Sequence, residues 1–554
     1  MTPNTLRKNA IDRLKTEHFD LLVVGGGITG AGVALDATAR GLKVALIEKR
    51  DYASGTSSKS TKLIHGGLRY LKNMEIGLVR EVGKERATVH RLAPHLVRPE
   101  KMLLPLIEGG SLGKFTTSMA LWVYDFLAQV HGEDKRVMLT KAETLDKEPL
   151  LRDDILKGGG YYAEYRTDDA RLTMENINTA RIRGALPLNY IEAIDFNYTE
   201  EGRIASTNCK DKFTGEQFVI KSAHVINAAG PWVDELRQDD NSLNEKRLFW
   251  SKGVHIVVAR ERFPLEQAVY FDVADGRMLF AIPRLRSTYI GTTDTEYQGN
   301  PNDIPTHVED VQYLLDGTNA LFPGINLTIE DVESNWAGIR PLIYEEGKSA
   351  SEMSRKDEIF ESKSGLLSIA GGKLTGYRKM AERILDRLSR QRQEHQMEAL
   401  PQSKTKDIPL NGGPFEDFDA VLSYEKEIEA QLEEASLSPG RADYLVANYG
   451  RQAEHIVAQA KQRSEGTDVA RLAAAEAAWC IEHEQALFPL DFLNRRSGRL
   501  YFDLPSISPV LDEVLQVFAQ EYGYTDQEIV DEKQRIENEL YKAYTFESRE
   551  ATVS

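Results

Sequence analysis

A chain of 554 residues, 41% hydrophobic and 28% charged, is long enough for several domain-sized units and has the composition of a folded globular protein. Its formal net charge of −17 argues against nucleic acid as a partner, and no apolar run reaches the roughly 18–20 residues that span a bilayer. Its two cysteines, Cys209 and Cys480, exclude a disulfide scaffold, fit a reducing cytoplasm and lack metal-ligand spacing, so no metal site is expected.

Residues 1–18 predict a short basic amphipathic helix with Leu6, Ile11 and Leu14 on one side. It has no apolar signal core and reads as a solvated helix rather than a membrane foot. Residues 19–49 follow as one strand–turn–helix–turn–strand unit. Residues 21–24 are an apolar run suited to a strand buried on both faces. Gly25, Gly27 and Gly30 then make a G-x-G-x-x-G turn, and a helix of small residues follows it. The second strand, residues 44–47, ends at Glu48, whose carboxylate can bind a ribose hydroxyl pair. That acid favours an unphosphorylated ribose, as in FAD or NAD; the motif alone does not separate the two.

Residues 54–72 are rich in Ser, Thr and Gly, and His65, Arg69 and Tyr70 lie close together in them. Ser58, Thr61 and Gly67 in this stretch are expected to bind the cofactor, at its phosphates or its ring. Residues 115–130 are apolar nearly all round and predict a buried helix, with quinone access as a sharper alternative. Short alternating strands over 188–196, 203–210 and 216–222 predict a β-meander. Residues 224–234 read as a strand and a glycine turn at Gly230.

Residues 246–335 predict a β-rich block that includes strands at 254–258, 267–271, 278–283 and 288–292, a plausible substrate floor. His255 lies within an apolar strand. Arg340 is expected just after a glycine turn, with Arg355 further on. A second strand–glycine–helix junction, Gly371-Gly-Lys-Leu-Thr-Gly-Tyr-Arg, brings Gly372, Lys373 and Thr375 to a helix start, where free N–H groups favour an anion. Pro401, Gly412, Gly413 and Pro414 mark a linker. Beyond it residues 401–554 are helical and hold 15 Lys+Arg against 29 Asp+Glu. Arg495, Arg496 and Arg499 are expected to face the acidic helices as structure.

The stretches Gly25-Gly-Gly-Ile-Thr-Gly and Gly371-Gly-Lys-Leu-Thr-Gly-Tyr-Arg-Lys-Met-Ala resemble the two signatures of the FAD-dependent, aerobic, quinone-linked glycerol-3-phosphate dehydrogenases. Leu63-Ile-His-Gly-Gly-Leu-Arg-Tyr-Leu, Asn227-Ala-Ala-Gly-Pro-Trp, Gly291-Thr-Thr-Asp-Thr-Glu-Tyr and Asn494-Arg-Arg-Ser-Gly-Arg are similar to that family too. Gly376 stands where relatives often have Thr or Glu. The resemblance covers nearly the whole chain. It implies an α/β fold with a Rossmann-like FAD domain of the glutathione-reductase/amino-acid-oxidase type, a β-rich substrate domain and an all-helical C-terminal domain. The expected boundaries are 1–18, a discontinuous FAD domain over 19–400 with substrate insertions near 95–150 and 245–335, and 401–554.

The implied reaction oxidises sn-glycerol 3-phosphate to dihydroxyacetone phosphate, with electrons passing through FAD to a membrane quinone. The implied location is peripheral on the cytoplasmic face of the membrane, with a homodimer as one possible assembly. A phosphomonoester needs an Arg/Lys clamp, and Arg69, Arg340, Arg355 and Lys373 suit it, with Tyr70 and Thr293 orienting. His65 and His255 are both suited to take a hydroxyl proton, and the sequence does not choose between them. The rival readings are an oxygen-using glycerol-3-phosphate oxidase, disfavoured by the lack of a long low-complexity insertion, an amino-acid oxidase, an NAD-linked dehydrogenase and a non-enzymatic nucleotide-binding protein.

Overall fold

The computed structural model describes residues 2–65, 76–110, 136–244, 246–346, 353 and 356–549. Gly67, Arg69, Tyr70, Arg355 and the apolar stretch 115–130 therefore lie outside the described residues.

The apolar runs build two sheets. In the first, of eight strands among the described residues, the parallel order is Leu367–Gly371, Gln217–Asn227, His18–Val24, Val44–Glu48, Leu186–Asn189, with Asp357–Glu361 antiparallel at one edge. Leu21 to Val24 register against Val44 to Ile47 on one side and His224 to Asn227 on the other, so this strand is buried on both faces. The helix Ile28–Ala39 covers one face with Asp169–Ile182 and Tyr377–Glu394. Its small residues let the helices approach closely: a Cβ on Gly32 would lie 2.9 Å from Tyr377 Cδ2. The meander Ile191–Tyr198 and Ile204–Asp211 pairs onto the first half of Gln217–Asn227.

Among the described residues the second sheet has ten strands. Leu248–Ala259 lies one strand in from an edge, between Ser287–Gly291 and Val332–Ile343. Arg98–Ile107 and Leu156–Arg166 extend the sheet towards Leu63–Ile64, which carries the chain back to the dinucleotide loop. Val332–Ile343 is one continuous strand, so the expected turn before Arg340 is not there. Gly338 serves close packing instead: a Cβ on it would lie 2.6 Å from Lys59 Cβ.

The helix Pro3–Thr16 is not solvated along its length. Ile11 and Leu14 join the core under the first sheet, and buried Arg7 reaches Asp211 at 2.8 Å. The C-terminal helices Phe418–Glu434, Ala442–Tyr449, Ala453–Gln462, Asp468–Glu484, Leu511–Tyr522 and Asp526–Tyr544 enclose their own apolar core. Arg499 pairs with Glu476 of that bundle at 2.9 Å, as expected of the tail arginines. Arg495 and Arg496 contact the C-terminal domain too, Asp491 at 2.7 Å and Glu484 O at 2.9 Å, and in addition reach Asp51 of the first sheet's loop at 2.5 and 2.8 Å. Among the described residues no helix is long and apolar enough to cross a membrane.

Candidate functional site

A cleft of about 360 Å³ draws its wall from both sheets. Its floor begins where the strand His18–Val24 stops. Gly25 takes φ 115°, and a Cβ there would lie 2.5 Å from Ala228 O. Gly30 lies behind the wall, where a Cβ would come within 1.9 Å of Gly25 O. The turn thus depends on both glycines, and Gly27 opens onto the cleft at the N-terminus of the helix Ile28–Ala39. Ser57 Oγ accepts from Ile28 N at 2.9 Å and ties the serine-rich loop to that helix start. Ser58, the expected contact, is buried with its hydroxyl 3.5 Å from Gly55 O and stands outside the wall. Two adjacent serines are indistinguishable by type, so the sequence does not say which of them faces the cleft.

Glu48 lies in the wall, where its two oxygens accept from Gly26 N at 2.7 Å and Arg50 N at 2.9 Å. Burial pushes this carboxyl above its ordinary range, against the pull of those two N–H groups. Gly230 and Trp232 follow the strand Gln217–Asn227 into the wall. The Trp232 indole N–H is buried with no acceptor among the described residues. Gly371, Gly372, Lys373 and Thr375 complete this side, and Thr375 Oγ1 donates to His65 O at 3.4 Å. The short turn Leu374–Gly376 leads from these residues into the helix Tyr377–Glu394, which has no side-chain cap among the described residues.

Beyond the loops, Arg340 projects from its strand into the wall with its side chain 22% exposed. Its guanidinium donates to Thr292 Oγ1 at 3.0 Å, Thr293 O at 3.3 Å and Asp294 Oδ1 at 3.4 Å. Ser251 Oγ also donates to Asp294 and fixes that carboxylate. Thr293 itself is buried; its hydroxyl accepts from Val254 N at 3.0 Å and stands outside the wall. Thr292 occupies the place expected of it. His65 lies in the wall beside Phe280, whose ring stacks on Tyr270 with centroids 4.2 Å apart.

His255 does not reach the wall. Its ring is 0% exposed and stacks on Trp336 at 4.8 Å, and Nε2 pairs with Thr61 Oγ1 at 3.0 Å. Burial, with the positive charges of Arg340 and Lys62, holds His255 well below its ordinary range and keeps it neutral. Thr61 does line the cleft. Beneath it, buried Lys62 pairs with Asp169 at 2.5 Å and supports the loop, a link of 107 positions that no local pattern announces. Among the described residues no three His, Cys, Asp or Glu side chains gather as a metal site.

Comparison with known proteins now adds to the geometry. Residues 20–408 match the family described as FAD dependent oxidoreductase, and residues 403–529 match the C-terminal domain of alpha-glycerophosphate oxidase. The chain is 47% identical over 533 residues to an aerobic glycerol-3-phosphate dehydrogenase of Staphylococcus saprophyticus, covering 95% of each chain. It belongs to the FAD-dependent glycerol-3-phosphate dehydrogenase/oxidase family. Among solved structures, the glycerol-3-phosphate dehydrogenase from Bacillus halodurans complexed with FAD is 41% identical, with a TM-score of 0.83 and 98% of each chain covered. The L-alpha-glycerophosphate oxidase from Mycoplasma pneumoniae shares the fold at 19% identity, with a TM-score of 0.55, 67% of this chain and 94% of that one covered. FAD is the cofactor of this family, and the wall suits it: a glycine cradle at a helix start, an acid at the end of the second strand and a buried indole donor left over.

Proposed function

We propose that the protein oxidises sn-glycerol 3-phosphate to dihydroxyacetone phosphate and hands the electrons to a membrane quinone, working as a peripheral protein on the cytoplasmic face. Bound FAD supplies the two-electron acceptor for the substrate's C2 hydrogen. Gly25, Gly27, Glu48, Gly230, Gly372 and Thr375 hold it, with Trp232 Nε1 as a further donor. Thr61 belongs to the substrate's side of the cleft in this reading.

The observation that carries the proposal is Arg340, a guanidinium held by Thr292 and Asp294 in the same wall as Lys373 and His65. Two cations there suit a phosphate dianion, and the sequence offers Arg69 and Arg355 to complete the clamp. His65 takes the proton of the C2 hydroxyl, since it lines the cleft and His255 does not. The helix start after Lys373 stabilises negative charge at the cofactor's ring end.

The test is spectroscopic. Under anaerobic conditions the purified flavoprotein is expected to bleach on addition of sn-glycerol 3-phosphate, and its yellow colour to return on adding a quinone but only slowly in oxygen. Fast return in oxygen, with hydrogen peroxide formed, makes it the oxidase. A flavin that stays oxidised removes the substrate from the proposal and leaves the fold.

A further inference from the structure

The Thr61–His255 pair has a direction built into it. An imidazole has one N–H in its neutral form, and the hydrogen-bonding of its surroundings decides which nitrogen carries it. His255 Nδ1 is buried with no partner among the described residues, whereas Nε2 sits 3.0 Å from Thr61 Oγ1. A buried N–H without an acceptor costs more than a bare acceptor atom, as orphaned donors are the rarer case in folded proteins. The proton therefore belongs on Nε2, and Nε2–H donates to Thr61 Oγ1.

The ring cannot turn to change this. His255 registers between Gly291 and Trp336 on the two flanking strands. It stacks on Trp336 at an interplanar angle of 12°, and a Cβ at Gly291 would lie 2.1 Å from His255 Cδ2. The charged groups that act on it, Arg340 on the neighbouring strand and Lys62 on the loop, are both cations and oppose a second proton. Thr61 is equally fixed, because Tyr289 Oη donates to its carbonyl at 3.1 Å and Trp336 Nε1 to Ser60 O at 3.1 Å. With its oxygen already accepting from His255, the one hydroxyl hydrogen of Thr61 must be donated elsewhere, and the residue faces the cleft.

We propose that Thr61 is a catalytic hydrogen-bond donor to the substrate's C2 oxygen, and that His255 is the positioning residue that makes it one. This rests on the proposed oxidation of a secondary hydroxyl. As the C2 hydroxyl loses its proton, negative charge gathers on that oxygen, and a donor already aimed there lowers the barrier without reorganising. No covalent bond to Thr61 or His255 forms or breaks. The proton goes to His65 and the hydride equivalent to the flavin.

The test uses the flavin-loaded full chain. Thr61→Val is expected to keep its FAD content and oxidised spectrum but to lose on the order of 100-fold in the rate of anaerobic bleaching, with KM little changed. Thr61→Ser should restore most of the rate. His255→Phe keeps a ring in the stack and should fall about as far as Thr61→Val, with the double variant no worse than the worse single one, because the two act as one unit. In both single variants the acidic limb of the kcat/KM profile should persist, since another group titrates. If His255→Phe loses its flavin, the Val and Ser variants decide alone.

Bleaching of Thr61→Val at the normal rate overturns the proposal. So does loss of the acidic limb in His255→Phe, which would make His255 the base. An altered FAD affinity or resting spectrum in Thr61→Val, with normal bleaching, overturns it by aiming the hydroxyl at the cofactor. A wild-type protein that sn-glycerol 3-phosphate does not bleach is a different result: it removes the function, whereas a bleaching wild type with an unaffected Thr61→Val removes only the pair.

Discussion

Arg340 shows how much one side chain carries in this cleft. Its fork reaches a hydroxyl, a carbonyl and a carboxylate, so the guanidinium is aimed before any ligand arrives. Lysine would keep the charge and lose the fork. Arg340→Lys is therefore expected to lower kcat/KM by about 100-fold, and Arg340→Ala by more, with flavin content unchanged; steady-state kinetics with sn-glycerol 3-phosphate checks both. At this scale the sequence was informative about residue type and poor about direction. Arg340, Lys373, His65, Thr61, Glu48 and the cleft glycines do share one wall. Thr293 and Ser58 do not, and their neighbours Thr292 and Ser57 do. Ser57 and Ser58 share the short helical turn Thr56–Ser58, and Thr292 and Thr293 follow the end of the strand Ser287–Gly291, so in both places one step along the chain turns the side chain away from the cleft.

At the scale of elements, the loop from Glu48 to Gly55 is held from behind. Arg496 grips Asp51 with both nitrogens at 2.8 Å, Arg495 adds a third contact at 2.5 Å, and Asn189 Nδ2 donates to Asp51 at 3.0 Å. Burial alone would raise the Asp51 carboxyl, yet the two guanidiniums hold it at about 2. Its contribution to stability is present above the unfolded carboxyl value near 4 and is lost as pH falls towards 2. Because Glu48 begins this loop, its anchor and the cofactor cradle are linked mechanically. Arg496→Met leaves Asp51 buried with less compensation and is expected to cost about 3–5 kcal/mol, with FAD released at lower urea than in the wild type. Flavin fluorescence followed alongside circular dichroism measures both. The element types were legible from apolar spacing, including the two strand–glycine–helix junctions. The destination of Arg495 and Arg496 was not, since 444 and 445 positions separate them from Asp51.

Across the whole molecule, the C-terminal bundle docks through buried charge onto a helix of the first sheet and onto the start of the second sheet's strand Arg98–Ile107. Arg171 pairs with Glu484 at 2.7 and 2.8 Å, Arg98 reaches Glu425 at 2.5 Å, and the linker's Gly412 N donates to Glu175 at 2.5 Å. Glu175 faces His95 at 3.9 Å and Arg171 at 4.0 Å, with the Glu484 charge nearby. Burial pushes Glu175 up to about 7, against the Arg171 charge and the Gly412 N–H. The folded protein thus keeps a proton there that the unfolded chain has released. Its stabilising effect is full below the unfolded value near 4.3 and is lost as pH rises towards 7. Glu175→Gln is expected to flatten the fall in Tm between about pH 5 and 7, which calorimetry across that range would register. By itself the sequence determined the dinucleotide unit, the helical tail and the family, because strand length, turn glycines and helix starts are local consequences of neighbouring residues. Only the tertiary structure decided which histidine lines the cleft, which of two adjacent hydroxyls faces it and where the tail's arginines go. Those outcomes depend on burial and on pairs hundreds of positions apart, and no local spacing encodes either.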